Sequence, residues 1–340
     1  MSGQAERLPA GKLGMDLLAG FLVGPAAGNG VVLGPGIGRD VAVVDAGGDR
    51  YWLLKSDPIT FTTDEMAHYA VTVNVNDIAT AGGTPRWFLA TLLLPESAVT
   101  AGEVASLFEE LRVACARYGV SLVGGHTEVT GAVNRVVIAG SMIGEVAKGS
   151  LVRSCDVAIG DAILCTKGVP IEGCAILARE KREELLAAGF DPGALDDFAG
   201  FLHTPGISVL EDARTACAVA PVHAMHDPTE GGLATALWEL ALASDVGLLV
   251  EAESIPVLQA ARPLCAHFGI DPLGTIASGA LLVAVAPDAA ARVSRACAAA
   301  GIACAKIATA VAPSRGVKLV RDGQELELPR FDQDEIVKAF

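Results

Sequence analysis

The run Met225-His226-Asp227-Pro228-Thr229-Glu230-Gly231-Gly232-Leu233-Ala234-Thr235-Ala236-Leu237-Trp238-Glu239-Leu240-Ala241 is a polar, proline-braked turn that passes through two glycines into an apolar helix. Unpaired N–H groups converge at a helix start, so bare glycine backbone in front of one makes a ready anion site. The run by itself reads in two ways: as a phosphate site, or as a strand–turn–helix junction whose glycines serve close packing. The rest of the chain has to decide.

Around that run lie 340 residues, 51% hydrophobic and 19% charged, enough for a large core and two domains. Aromatic residues are only 5%, so the core is built from Ala, Val, Leu and Ile, which suits layered α/β packing. A net charge of −15 excludes an electrostatic nucleic-acid binder, which needs a basic face. It leaves room for a nucleotide, because a few local cations or a bound Mg2+ suffice to hold one. Residues 1–9 lack the apolar core of a secretory signal, and 13–23 is too short and glycine-interrupted to span a bilayer. The eight cysteines form no C-x-x-C pair. A reduced, cytoplasmic protein with no membrane contact is the expectation.

Upstream, residues 12–21 read as a short amphipathic helix, and 24–38 as a glycine-rich tether ending in Gly34-Pro35-Gly36-Ile37-Gly38. The tether is either a cover over a ligand or a plain linker. A hairpin of residues 41–44 and 51–55 follows, with Asp40 before it and Asp57 at its end. The segment 65–81 reads as a helix apolar on nearly every side, hence buried, yet Asn74, Asn76 and Asp77 interrupt it. A carboxylate on a buried helix must be paired or metal-bound, and Asp40 and Asp57 stand ready to share an ion with Asp77. Residues 86–94 form a strand, 101–118 a helix and 121–125 a short buried strand. The latter ends in Gly124-Gly125-His126-Thr127-Glu128, where glycines let backbone approach a ligand. His126 is there a base, a phosphate contact or a structural residue.

The polar break at 147–150 marks a domain boundary. Beyond it strand 161–166 turns at Lys167, which either touches a phosphate or is solvated, into a helix through Arg179. Helix 207–219 leads into the opening run. Alternating strands and helices then continue to a closing hairpin of 317–320 and 325–328. His223 and His226 facing one ion is a weak alternative, as is a shared site of Cys297 and Cys304.

Assembled, these pieces resemble the PurM-like superfamily of ATP-binding proteins, which includes aminoimidazole ribonucleotide (AIR) synthase, thiamine-monophosphate kinase, selenophosphate synthetase and the hydrogenase maturation factor HypE. The resemblance rests on Val75-Asn76-Asp77-Ile78-Ala79 with Gly82-Gly83-Thr84-Pro85, and on His226-Asp227-Pro228-Thr229 with Gly231-Gly232-Leu233-Ala234. Gly124-Gly125-His126-Thr127 is similar to the family's Gly-Gly-Asp/Glu-Thr turn, and Lys55-Ser56-Asp57 to the segment with an Asp after its second strand. The second motif looks most like HypE.

The resemblance implies an α+β, two-domain PurM-like fold: an N-terminal helix and ATP-covering loop (1–38), an N-terminal mixed-sheet domain that pairs in a homodimer (39–150), and a C-terminal α/β sandwich (151–340). It implies ATP and Mg2+ as cofactors. Asp40, Asp57 and Asp77 map as metal ligands, with Asp77, His126 and Lys167 as catalytic residues. Lys12, Gly36, Gly38, Asn76, Gly124, Gly125, Asp227, Gly231 and Gly232 map as nucleotide contacts. Three departures shape the expected reaction. The tail Leu328-Pro329-Arg330-Phe331-Asp332 runs on to Phe340 without the terminal cysteine of HypE. Glu230 stands where HypE-like motifs have Arg, and His126 where the family has an acid. The expected activity is therefore ATP-dependent activation of an oxygen-bearing group, by phosphoryl transfer to a separate small molecule or partner protein, and not self-cyanation. The alternatives are a kinase of the thiamine-monophosphate type and an ATP-binding scaffold without turnover.

Overall fold

Two sheets organise the chain in a computed structural model that describes residues 8, 11–22, 28–60, 62 and 64–340. The first part contains α1 (Met15–Phe21), β1 (Val31–Leu33), β2 (Ala42–Val44), β3 (Arg50–Ile59), α2 (Met66–Thr80), β4 (Thr84–Pro95), α3 (Ala101–Arg117), β5 (Ser121–Thr130) and β6 (Val137–Ala147). Its sheet runs β1-β2-β3-β6-β4-β5. All neighbours are antiparallel except β4 and β5, whose parallel pairing requires the crossover that α3 supplies. Thr100 and Glu103 start α3 with a reciprocal capping box. Strand β6 alternates strictly between buried and half-buried positions, which turns one face onto α2. That contact is close enough to exclude a side chain at Gly144, where a Cβ would meet Ile78 Cγ2 at 2.4 Å.

The second part comprises β7 (Ala162–Thr166), α4 (Ile171–Glu180), α5 (Arg182–Ala187), α6 (Pro192–Ala199), α7 (Leu210–Val219), β8 (Ala224–His226), α8 (Gly232–Ser244), β9 (Gly247–Glu251), α9 (Ala261–Phe268), β10 (Leu282–Val285), α10 (Pro287–Ala299), β11 (Cys304–Val311), β12 (Val317–Arg321) and β13 (Gln324–Glu327). Its mixed sheet runs β13-β12-β9-β11-β7-β10-β8. Strands β7, β8 and β10 are buried throughout, because helices cover both faces. Leu164 of β7 faces the layer that holds α4, α7 and α10, while its neighbours Ile163 and Cys165 face α8. This is the expected sandwich.

Helix α2 joins the two parts. It lies against β3 and β6 on one side and against α7 on the other, and Asn76 locks that contact. Its amide donates to Ile207 O at 2.8 Å and accepts from Val209 N at 2.9 Å. No helix among the described residues is long and apolar enough to cross a membrane.

Three local expectations change. The tether contains strand β1, paired antiparallel with β2; residues 24–27 of it lie outside the described residues. Strand β3 runs on to Ile59, so Asp57 sits within it and not at its end. The strand expected at 121–125 continues to Thr130 and is an exposed edge, since β5 has a neighbour on one side only.

Candidate functional site

A cleft of about 800 Å3 opens between the two sheets. Its floor is a chain of ionic contacts drawn from distant segments, buried except at Lys12, whose side chain is 43% exposed. Asp40 precedes β2, His226 ends β8, Glu239 lies two turns into the apolar helix α8, and Lys12 comes from the segment before α1. His226 donates through Nδ1 to Asp40 Oδ1 at 2.8 Å and through Nε2 to Glu239 Oε2 at 3.0 Å. The other oxygen of Glu239 takes the Lys12 ammonium at 2.8 Å. Beside this chain, Lys55 on β3 reaches Asp77 on α2 at 3.3 Å and Asp57 at 3.5 Å. Asp227, next in sequence to His226, completes the floor and is also buried.

Burial draws the His226 imidazole down, but the adjoining Asp40 and Glu239 carboxylates overcome it and hold the ring well above its ordinary pKa. With both nitrogens donating, it is an imidazolium. Burial also works against Glu239, yet the hydrogen bond from His226 and the charge of Lys12 bring it down to about 2. Asp77 goes the other way: burial raises it well above the carboxylate range despite Lys55. Burial and then the neighbouring Asp40 push Asp227 up to about 7. Five carboxyl groups share the floor with three cations. Asp40 Oδ2 is moreover buried with no hydrogen-bond partner among the described residues.

The structure gathers Lys12, Gly36, Gly38, Asp40, Asp57, Asp77 and Asp227 around this cleft. Other predicted residues are placed elsewhere. His126, Gly124 and Gly125 lie on the exposed edge strand β5, and the His126 side chain, 66% exposed, faces Glu128. Lys167 is buried against Asp212 at 3.2 Å and donates to Ser208 O, away from the cleft lining. Asn76 spends both amide atoms on the clamp to Ile207 and Val209.

The glycine pair that opened the sequence argument proves to be already satisfied. Gly231 N donates to Asp334 Oδ2 at 2.6 Å, Gly232 N to Thr229 O at 3.0 Å and Ala234 N to Leu273 O at 2.9 Å. Both glycines have positive φ, and a Cβ on Gly232 would meet Leu273 O at 2.5 Å. They serve packing, and the anion site anticipated there is filled by the protein's own carboxylate. Glu230 is likewise engaged, accepting the Lys12 backbone N–H. His223 bonds Asp161, so it shares no ion with His226. Among the predicted metal ligands, Asp57 and Asp77 face Lys55 instead. The metal-competent cluster among the described residues is Asp40, His226 and Asp227, whose ligand atoms lie within 4.8 Å of one another.

Several cleft residues carried no sequence signal. Glu239 reads as one polar position in an apolar helix, and only its buried face marks it. Glu172 opens α4, is 5% exposed, and has an unpartnered Oε2 among the described residues. Tyr69 Oη is unpartnered in the same way, and Arg135 reaches the rim from the loop before β6.

Comparison with known proteins accords with this arrangement. The profile of the AIR synthase related protein N-terminal domain matches residues 38–146, and that of the C-terminal domain residues 158–320. The carbamoyl dehydratase HypE of Cupriavidus necator is 34% identical over 236 residues, which cover 68% of this chain and 63% of that protein. The chain spans a little under two thirds of the length of such curated relatives. Among solved structures, HypE in its complex with HypF superposes with a TM-score of 0.72 at 23% identity, over 86% of this chain and 93% of the other. HypE in complex with ATP gives 0.70 at 23% identity, over 87% and 89%. These two likenesses are of fold.

Proposed function

The chain belongs to the AIR synthase related, PurM-like family, and on that premise we propose that it is an ATP-dependent enzyme that activates an oxygen-bearing group by γ-phosphoryl transfer. The observation that carries this reading is the floor of the cleft, where a buried Asp40 Oδ2 has no hydrogen-bond partner among the described residues and lies beside Asp227. A buried acceptor left without a partner is costly, and hard carboxylate oxygens suit Mg2+. His226 offers no lone pair while both nitrogens donate, so Asp40 and Asp227 would hold the ion. Held there, Mg2+ would supply positive charge against that developing on the phosphates.

The chain's own residues do the positioning. Lys55 stands over Asp57 and Asp77 facing the cleft, and Arg135 brings a second cation to the rim with no ion-pair partner among the described residues. Gly36 and Gly38 present backbone to the same space. The relatives are described as carbamoyl dehydratases, and ATP is bound by one superposable structure; both support nucleotide use here. The division into a 39–150 domain and a 151–340 domain belongs to this proposal. So does a homodimer formed through the first sheet, supported by the exposed apolar side chains of Val123 and Val129 on β5 and Trp87 on β4.

The test is nucleotide analysis after incubating the protein with Mg·ATP, alone and with cell extract. ADP with a new phosphorylated or dehydrated product is expected. Direct phosphate transfer to thiamine monophosphate would select the kinase alternative, and unchanged ATP in both arms would refute the reading.

A further inference from the structure

The floor of the cleft is divided. Asp40 and Asp227 form one half, where a single orphaned oxygen looks for a cation. Asp57 and Asp77 form the other, and there the cation is already covalently attached to the protein. Lys55 projects from β3, two residues before Asp57, and its ammonium lies 3.3 Å from Asp77 Oδ2 and 3.5 Å from Asp57 Oδ2. Its side chain is 22% exposed, so it is held against the carboxylates and not extended into solvent.

Two carboxylates on neighbouring elements, facing the cleft, are what a second divalent ion requires. A lysine between them changes the requirement. The ammonium supplies positive charge at the same place, in ion-pair contact with both carboxylates and facing the cleft, where its N–H groups can reach a phosphoryl oxygen. A divalent ion entering here would have to displace the ammonium and leave it buried beside a cation, at a Coulombic cost that grows as water is excluded. The Asp40–Asp227 half has no lysine at this distance, and the cation nearest to it, His226, is engaged on both sides.

We propose that Lys55 stands in for a second metal ion, so that the cleft binds one divalent cation, and not two, together with a nucleoside triphosphate. This rests on the nucleotide reading above and deepens it: charge at the transferring phosphate comes partly from the ion at Asp40 and Asp227 and partly from a fixed ammonium.

The test counts metal and does not depend on turnover. The protein is saturated with the non-hydrolysable analogue adenylyl imidodiphosphate and titrated with Mn2+, and tightly bound Mn2+ is counted per chain by electron paramagnetic resonance. One ion per chain is expected for the wild type and for Lys55→Arg, which keeps the charge. Lys55→Met, which vacates the space between Asp57 and Asp77, is expected to bind two. Two ions in the wild type would overturn the assignment of Lys55 while leaving the nucleotide reading intact, and this arm needs no variant to fold. One ion in a folded Lys55→Met protein would overturn it as well. Binding of neither the analogue nor Mn2+ would overturn the nucleotide reading itself, and Lys55's role with it.

Discussion

Replacing Glu172 by Gln should make the ligand-free protein more stable at alkaline pH and leave it nearly unchanged at pH 5. Burial lifts this carboxyl from 4.5 to about 7; Ser278 opposes the rise through side-chain and backbone hydrogen bonds, and Asp334 adds to it. A folded pKa above the unfolded one means the native state holds a proton that the unfolded chain has already released. Stability therefore falls as pH climbs from 4.5 to 7, and the full penalty applies above that window. At 1.36 kcal/mol per pKa unit, the ionised side chain costs about 3 kcal/mol. Glutamine keeps the shape and an acceptor for Ser278 but carries no charge. At about 1.4 °C per kcal/mol, from an unfolding entropy of about 2.1 cal/mol/K per residue over a chain of this length, the unfolding midpoint should rise by roughly 4–5 °C at pH 8.5. Paired thermal melts of wild type and Glu172→Gln at pH 8.5 and pH 5 check this. A lowered midpoint at pH 8.5, or an equal gain at both pH values, would refute the argument that desolvation of this carboxylate dominates its environment.

Asn76→Ala removes both hydrogen bonds that tie α2 to residues 207 and 209 and leaves two buried backbone groups unpaired, so urea unfolding should show a loss of about 2–4 kcal/mol. Gly232→Ala forces a Cβ toward Leu273 O at positive φ and should cost about 2 kcal/mol or more in the same assay; a neutral result would contradict the packing role given to the glycine pair. Glu239→Gln uncouples His226 from Lys12 and strands buried charge, with an expected loss of about 3–5 kcal/mol near pH 7, read by calorimetry. Asp40→Asn should weaken Mg2+-dependent ATP binding at least about tenfold by isothermal titration, since it removes the oxygen best placed for the ion; unchanged affinity would exclude Asp40 as a ligand.

The architecture was open to sequence reading wherever period and punctuation agree. Helices α2 and α3 and the alternating elements of the second half follow from apolar periodicity, and the two signatures identify the family. The site was legible only in part. Asp40, Asp57, Asp77 and Asp227 carry signals of their own, as carboxylates beside turns or inside apolar surroundings. Glu239 does not, because what makes it part of the floor is an ion pair with Lys12 across 227 positions of sequence; Lys12 itself was expected only through the resemblance. The error at Gly231 and Gly232 has a similar cause. Free N–H groups at a helix start are a sound inference from local sequence, but Asp334, 103 residues away, had already taken one of them. His126 was drawn in by its glycines, whose setting is an open sheet edge and not a turn against a ligand.

The Asp40–His226–Glu239–Lys12 chain also has a mechanical consequence. It fastens the first sheet, the end of β8, helix α8 and the N-terminal segment at one buried point, so the two halves of the molecule cannot hinge apart there without separating opposite charges out of water. The position of Asp40 relative to Asp227 is thus set by contacts between the halves, through His226, and not by either half alone.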